Sequence, residues 1–193
     1  MAKRKSNGLM KEGQDLVVAG YAGLAGTGIL VREKRNELER YFSAAYLEQV
    51  LSECGTSADG KIWKNWISSE AAECEPAGKG GILTTLWNLP EAYRLGITFS
   101  LRQIPVRQGT IEICEVFGLN PYRLYSDGCW LLAADHGDRA VEALSKRGIS
   151  AAVIGRVVSG IAKVVEGKEE QGYLNRPQPD EIEKVIPDWE SRI

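Results

Sequence analysis

Hydrophobic positions along the chain fall into short runs and helical stripes separated by glycine-rich or polar breaks. Residues 15–19, Asp-Leu-Val-Val-Ala, form a β-prone run that ends in a stretch with glycine at 20, 23, 26 and 28, which predicts a strand followed by a loop. From Thr27 the spacing turns helical. After Asn36 as a cap, Leu38, Tyr41, Phe42, Ala45 and the Val50/Leu51 pair keep to one face, predicting a helix that stops near Gly55. Trp63 and Trp66 suit apolar anchors on a short helix, and residues 73–79 read as irregular. Gly80-Gly81 then opens a helix carrying Ile82, Leu86, Leu89 and Tyr93, bent at Pro90 and ended by Gly96.

The second half alternates strands and helices. Residues 97–101 alternate like a half-buried strand, and 108–117 predict a short helix closed by Gly118. After an Asp127-Gly128 turn, residues 129–134 are apolar throughout, as in a strand buried on both faces. Asp138 is placed to cap a helix bearing Val141 and Leu144 that ends at Gly148. Residues 151–158 and 161–165 read as two strands joined by a Ser159-Gly160 hairpin turn, with the sheet ending there. A polar stretch leads to a short terminal helix bearing Ile182, Val185 and Ile186. This order predicts a mixed sheet with helices packed on it.

Composition narrows the classes. A chain of 193 residues, 44% hydrophobic and 26% charged, suffices for one core. A net charge of -2 gives no electrostatic case for nucleic acid, and Lys3-Arg4-Lys5 reads as a solvated terminus. No apolar stretch is long enough for a bilayer and no secretory segment opens the chain, so a cytoplasmic protein is expected. Cys54, Cys74, Cys114 and Cys129 are scattered, which suggests reduced, mostly buried thiols and neither a disulfide framework nor a zinc site. Cys129 opens a buried strand and the lone histidine, His136, lies beyond it. A cysteine–histidine catalytic pair is therefore not expected.

Three segments resemble one family. Residues 13–18, Gly-Gln-Asp-Leu-Val-Val, running into Gly23-Leu24-Ala25-Gly26-Thr27, look like its opening strand and glycine turn. Lys79-Gly80-Gly81-Ile82-Leu83, then Gly96-Ile97 and Ile104-Pro105-Val106, match in order and spacing. Residues 152–158 resemble its closing strand, and Arg176-Pro177 with Asp180-Glu181-Ile182 its tail. Together these resemble the C-terminal domain of the aminoimidazole ribonucleotide (AIR) synthase superfamily, most of all its hydrogenase-maturation carbamoyl dehydratase subgroup. The resemblance implies an α/β fold of the α+β type: a three-layer α/β/α sandwich over residues 10–167, with a tail at 168–193. It also implies homodimers and relatives that use ATP and Mg²⁺ through an N-terminal domain. About a dozen residues precede the opening strand, so that domain is expected to be absent.

The candidate chemistry lies at the glycines. Two glycines at a helix start let backbone N–H groups approach an anion, the helix dipole favours negative charge, and Lys79 adds a cation. Expected ligand contacts are therefore Lys79, Gly80 and Gly81, then Glu75 and Gly78. Relatives read Asp-x-Thr-x-Gly-Gly here; Pro76 and Gly78 stand at the acid and hydroxyl positions, and Glu75 is displaced by one. No metal ligands or catalytic residues are assigned. The 20–28 loop lacks a completed G-x-G-x-x-G and is read as a tight turn beside the Gly-Gly site, with Gly23, Gly26 and Thr27 as third-rank contacts. Two functions follow. One is a non-catalytic oligomeric binding or scaffold protein for a phosphorylated ligand, nucleotide or partner protein. The other is a subunit of a split ATP-dependent enzyme whose nucleotide domain is a separate chain.

Overall fold

A computed structural model describes residues 9–54, 71–167 and 171–192. Its sheet has seven strands: β1 (Asp15–Ala19), β2 (Glu73–Pro76), β3 (Gly96–Phe99), β4 (Trp130–Ala134), β5 (Ala151–Val158), β6 (Lys163–Glu166) and β7 (Gln171–Tyr173). They lie in the order β2-β4-β1-β5-β3-β6-β7, antiparallel except for the parallel pair β3–β6. Among the described residues six α-helices accompany them: α1 (Leu24–Glu33), α2 (Arg35–Leu38), α3 (Ala44–Cys54), α4 (Gly81–Tyr93), α5 (Gln108–Phe117) and α6 (Gly137–Ser145).

The period-two side-chain alternation of β1 decides which helix covers which face. Leu16 and Val18 join Ile82, Leu86 and Leu89 of α4 in the larger core, whereas Val17 and Ala19 meet Leu144 of α6 on the opposite face. The fold is the expected α/β/α sandwich with a mixed sheet. A further cluster joins α1, α3 and α5 to the C-terminal tail, through Leu30, Leu47, Ile113, Ile182, Ile186 and Trp189.

Several local expectations need correction. The chain turns helical at Leu24, within the glycine stretch. Gly26 sits inside α1 because a Cβ there would lie 2.5 Å from Leu124 Cγ, so the close approach of the Leu124 loop requires glycine. The single helix expected over 36–54 is two: Ser43 Oγ accepts the Tyr46 N–H at 3.2 Å and restarts the chain as α3. Asp138 is in the first turn of α6 without capping it. Asp15 of β1 supplies the carboxylate that accepts the Gly137 N–H, at 2.9 Å.

Ser159-Gly160 does not close a hairpin between neighbours. The chain crosses the end of β3 at Gly96, where a Cβ would lie 2.8 Å from the Ala162 carbonyl oxygen, and β6 therefore lands on the far side of β3. The sheet also continues past 165 into β7, and residues 73–76 are the edge strand β2 rather than irregular. The tail forms a 3-10 turn at Glu181–Lys184 capped by Asp180, with Ile182 and Ile186 buried. Trp63 and Trp66 lie outside the described residues.

Candidate functional site

The Gly-Gly turn is built where β2 ends and α4 begins. Gly80 and Gly81 both have left-handed backbones, φ 78° and 66°, and the Gly81 N–H closes the turn onto the Gly78 carbonyl at 3.0 Å. At Gly81 a Cβ would stand 2.7 Å from the Arg123 carbonyl carbon, so only glycine fits between this turn and the 121–123 segment. Gly78 has open space around it, and its carbonyl also accepts the Ser126 N–H at 3.2 Å.

A carboxylate from this chain's own tail already sits on the turn. Asp180, 1% exposed, accepts the Gly80 N–H through Oδ2 at 2.7 Å, and the Tyr125 and Ile182 N–H groups through Oδ1, each at 3.1 Å. It thus supplies from 100 residues away the anion that the dipole at the start of α4 favours. Burial pushes its carboxyl above the usual carboxylate range, against the downward pull of the three N–H donors. Lys79 is exposed and pairs with two further tail acids, Glu190 and, at 3.3 Å, Glu183, which raise its ammonium pKa.

Around this latch the tail is anchored by packing. Trp189 is buried with its ring 4.7 Å from that of Tyr125, and Glu181 Oε2 accepts the Asn120 N–H at 3.2 Å. Glu75 lies on β2 opposite Leu131. With the Gly80 N–H and Lys79 engaged by tail carboxylates, and Pro76 and Gly78 offering no side-chain oxygen, these residues do not fit a magnesium–nucleotide at this turn.

Ser126 ties the second glycine region to the first. Its Oγ accepts the Gly23 N–H at 2.8 Å while its own N–H bonds to Gly78. Gly23 is left-handed at φ 73°, and Thr27 Oγ1 donates to the Gly23 carbonyl at 2.8 Å and lies 3.0 Å from Thr110 Oγ1, fully buried. Gly23, Gly26 and Thr27 therefore hold α1 against α5 and the 121–126 loop. The adjoining residues face outward. Gly20, Tyr21, Gly28, Arg32, Arg107 and Arg147 line a cavity of about 450 Å³.

Sequence reasoning missed this cavity. Its arginines are 75 and 40 residues apart, and the one local hint was Arg32, four positions after Gly28 on the same helical face.

Three of the four cysteines are unsuited to nucleophilic work. Burial pushes the Cys114 and Cys129 thiols up to about 12, and Cys54 to about 11 even with Arg32 pulling it down. His136 precedes α6 as its N-cap residue. Among the described residues no group of three His, Cys, Asp or Glu converges to hold a metal, and no helix is long and apolar enough to cross a membrane.

Known proteins bear on this geometry in three ways. No curated protein sequence matches the chain. Solved structures do match its fold. Escherichia coli HypE, a hydrogenase maturation protein, superposes with a TM-score of 0.71 at 19% identity, over 93% of this chain and 53% of its own. A HypE solved in complex with ATP gives 0.64 at 19%, over 92% and 54%. Thiamine monophosphate kinase from Aquifex aeolicus gives 0.59 at 18%, over 83% and 52%. The chain thus spans about half the length of these neighbours, and at such identities they share its fold. The family described as AIR synthase related protein, C-terminal domain, matches residues 11–168, and the chain belongs to that family.

Proposed function

We propose that this protein is a non-catalytic, cytoplasmic homo-oligomer that binds a phosphorylated ligand or nucleotide and serves as a scaffold for it. The observation that carries this reading is the Asp180 carboxylate on the Gly80 N–H, at 2.7 Å. The Gly80 N–H, held by a carboxylate of the same chain, is not offered to a nucleotide phosphate, which supports the non-catalytic part of the reading. The acid and hydroxyl that enzymatic relatives place beside it are replaced by Pro76 and Gly78. Fold alone does not carry the neighbours' activity over.

ATP turnover by the full chain with Mg²⁺, with its mass measured by light scattering on the same sample, tests the proposal. The expected result is an oligomer that releases no phosphate above the protein-free rate. Turnover abolished by Asp180→Ala would sink the reading.

A second reading, a subunit of an ATP-dependent enzyme whose nucleotide domain is another chain, rests on one finding: the ATP-bound HypE covers 92% of this chain with only 54% of its own length. It calls for nucleotide binding that depends on Mg²⁺ and on the added partner chain. Binding to this chain that is indifferent to Mg²⁺ favours the first reading.

A further inference from the structure

We infer that the arginine-lined cavity beside α1 is the site at which the protein takes a phosphoryl group, carried by a small phosphorylated molecule. This deepens the binding reading above and rests on it. The cavity's volume, about 450 Å³, lies in the range of small-molecule sites. Three guanidinium groups border it: Arg32 from α1, Arg107 from the residue preceding α5, and Arg147 from the turn after α6. Separate elements thus bring them together, unlike a charge run along one helix. Guanidinium forks match phosphate oxygens in pairs, which a solvated lysine does not.

Carboxylates also stand nearby: Asp127 lines the cavity, and Glu53 Oε2 lies 3.6 Å from Arg107 Nε. That distance is too long for a hydrogen bond, and among the described residues the buried Arg107 Nε has no acceptor. The rest of the Arg107 side chain is part-exposed, so its terminal N–H groups are the ones available to an arriving oxyanion. The Arg107 guanidinium is held in place by the face of the Tyr21 ring, 4.1 Å from its centroid. Leu24 and Ala25, in the first turn of α1, line the same space, so the positive end of that helix adds to the field. Tyr21 and Tyr125 supply aromatic surface for the organic part of the ligand.

Calorimetric titration of the full chain with inorganic pyrophosphate, without Mg²⁺, tests this. Wild type is expected to bind saturably. Arg32→Ala and Arg147→Ala, both at exposed positions and checked for native circular dichroism, should each weaken binding about tenfold, the loss expected when a charge-assisted pair is removed. Lys79→Ala should leave it unchanged. The inference is overturned if wild type shows no saturable binding, or if Lys79→Ala weakens binding while the arginine variants do not. ATP turnover by wild type would remove the non-catalytic reading and leave the pyrophosphate result standing, so the two failures are distinguishable.

Discussion

Two glycine-rich segments in this protein precede helices in the same way and face opposite fates. At both, a left-handed glycine stands just before the helix, Gly23 (φ 73°) before α1 and Gly80 (φ 78°) before α4. Both helix starts carry the partial positive charge that attracts anions. Before α4 the attraction is met from within: Asp180 bonds to the Gly80 N–H, Glu183 and Glu190 hold Lys79, and buried Trp189 keeps the tail in place. Before α1, among the described residues, no tail residue lines the space, and the helix start opens on a cavity with three arginines. A glycine signal marks where an anion could sit. Whether the place is free depends on residues far away in sequence.

The contrast is broken most severely by removing the turn that holds α4. Gly81→Ala puts a Cβ against the 121–123 backbone at a positive φ, and should lower unfolding free energy by about 4 kcal/mol, the sum of overpacking and left-handed strain. Gly78→Ala, three residues earlier with nothing within 4 Å of its Cβ, should change stability by less than about 0.5 kcal/mol. Denaturant midpoints compare the pair directly.

Asp180→Ala comes next. It leaves three backbone N–H groups without their acceptor and should cost about 3 kcal/mol by the same measurement. Asp180 does not itself line the arginine cavity and touches it only through the Tyr125 N–H, so pyrophosphate binding should change less than in Arg32→Ala.

A smaller effect is the pH dependence of the latch. The Asp180 carboxyl is raised in the folded state, chiefly by burial, so the folded protein holds that proton more tightly than the unfolded chain does. Its contribution is fully present below the unfolded value of about 3.9 and is lost as pH rises through the raised folded value. Between those limits wild type should therefore gain stability relative to Asp180→Asn as pH falls, read as a difference of unfolding midpoints across a pH series. A difference of the opposite slope would mean that the N–H donors outweigh burial. The smallest effect belongs to Lys79→Ala: its ion pairs are exposed and screened, so the unfolding midpoint should not move measurably.

Legibility in the sequence followed locality. β1 and α5 announce themselves through apolar spacing and closing glycines and formed where those signals predict, whereas α4 opens at its Gly-Gly turn but ends at Tyr93 on a left-handed Arg94 (φ 54°), with Gly96, expected to end it, beginning β3. β2 gave no such sign, because Glu-Cys-Glu-Pro is a half-exposed edge strand defined by its pairing with β4. The neighbour of β6 was hidden for a different reason. Which side of β3 the chain takes is settled by the crossing at Gly96, and strand periodicity carries no information about it. At the site, the motif located the Gly-Gly turn but could not disclose an occupant 100 residues downstream. Likewise Gly23, Gly26 and Thr27 identified the correct loop, while their side toward the core concealed that the neighbours Gly20, Tyr21 and Gly28 face a cavity.

Hydrogen exchange at the Gly80 amide reports whether the tail closes the Gly-Gly turn. Exchange should be slow in the full chain, as for a helix-interior amide, unchanged when pyrophosphate is added and fast in Asp180→Ala. Fast exchange in wild type, or protection that appears only with pyrophosphate, would show an open turn waiting for an external anion and would contradict that closure.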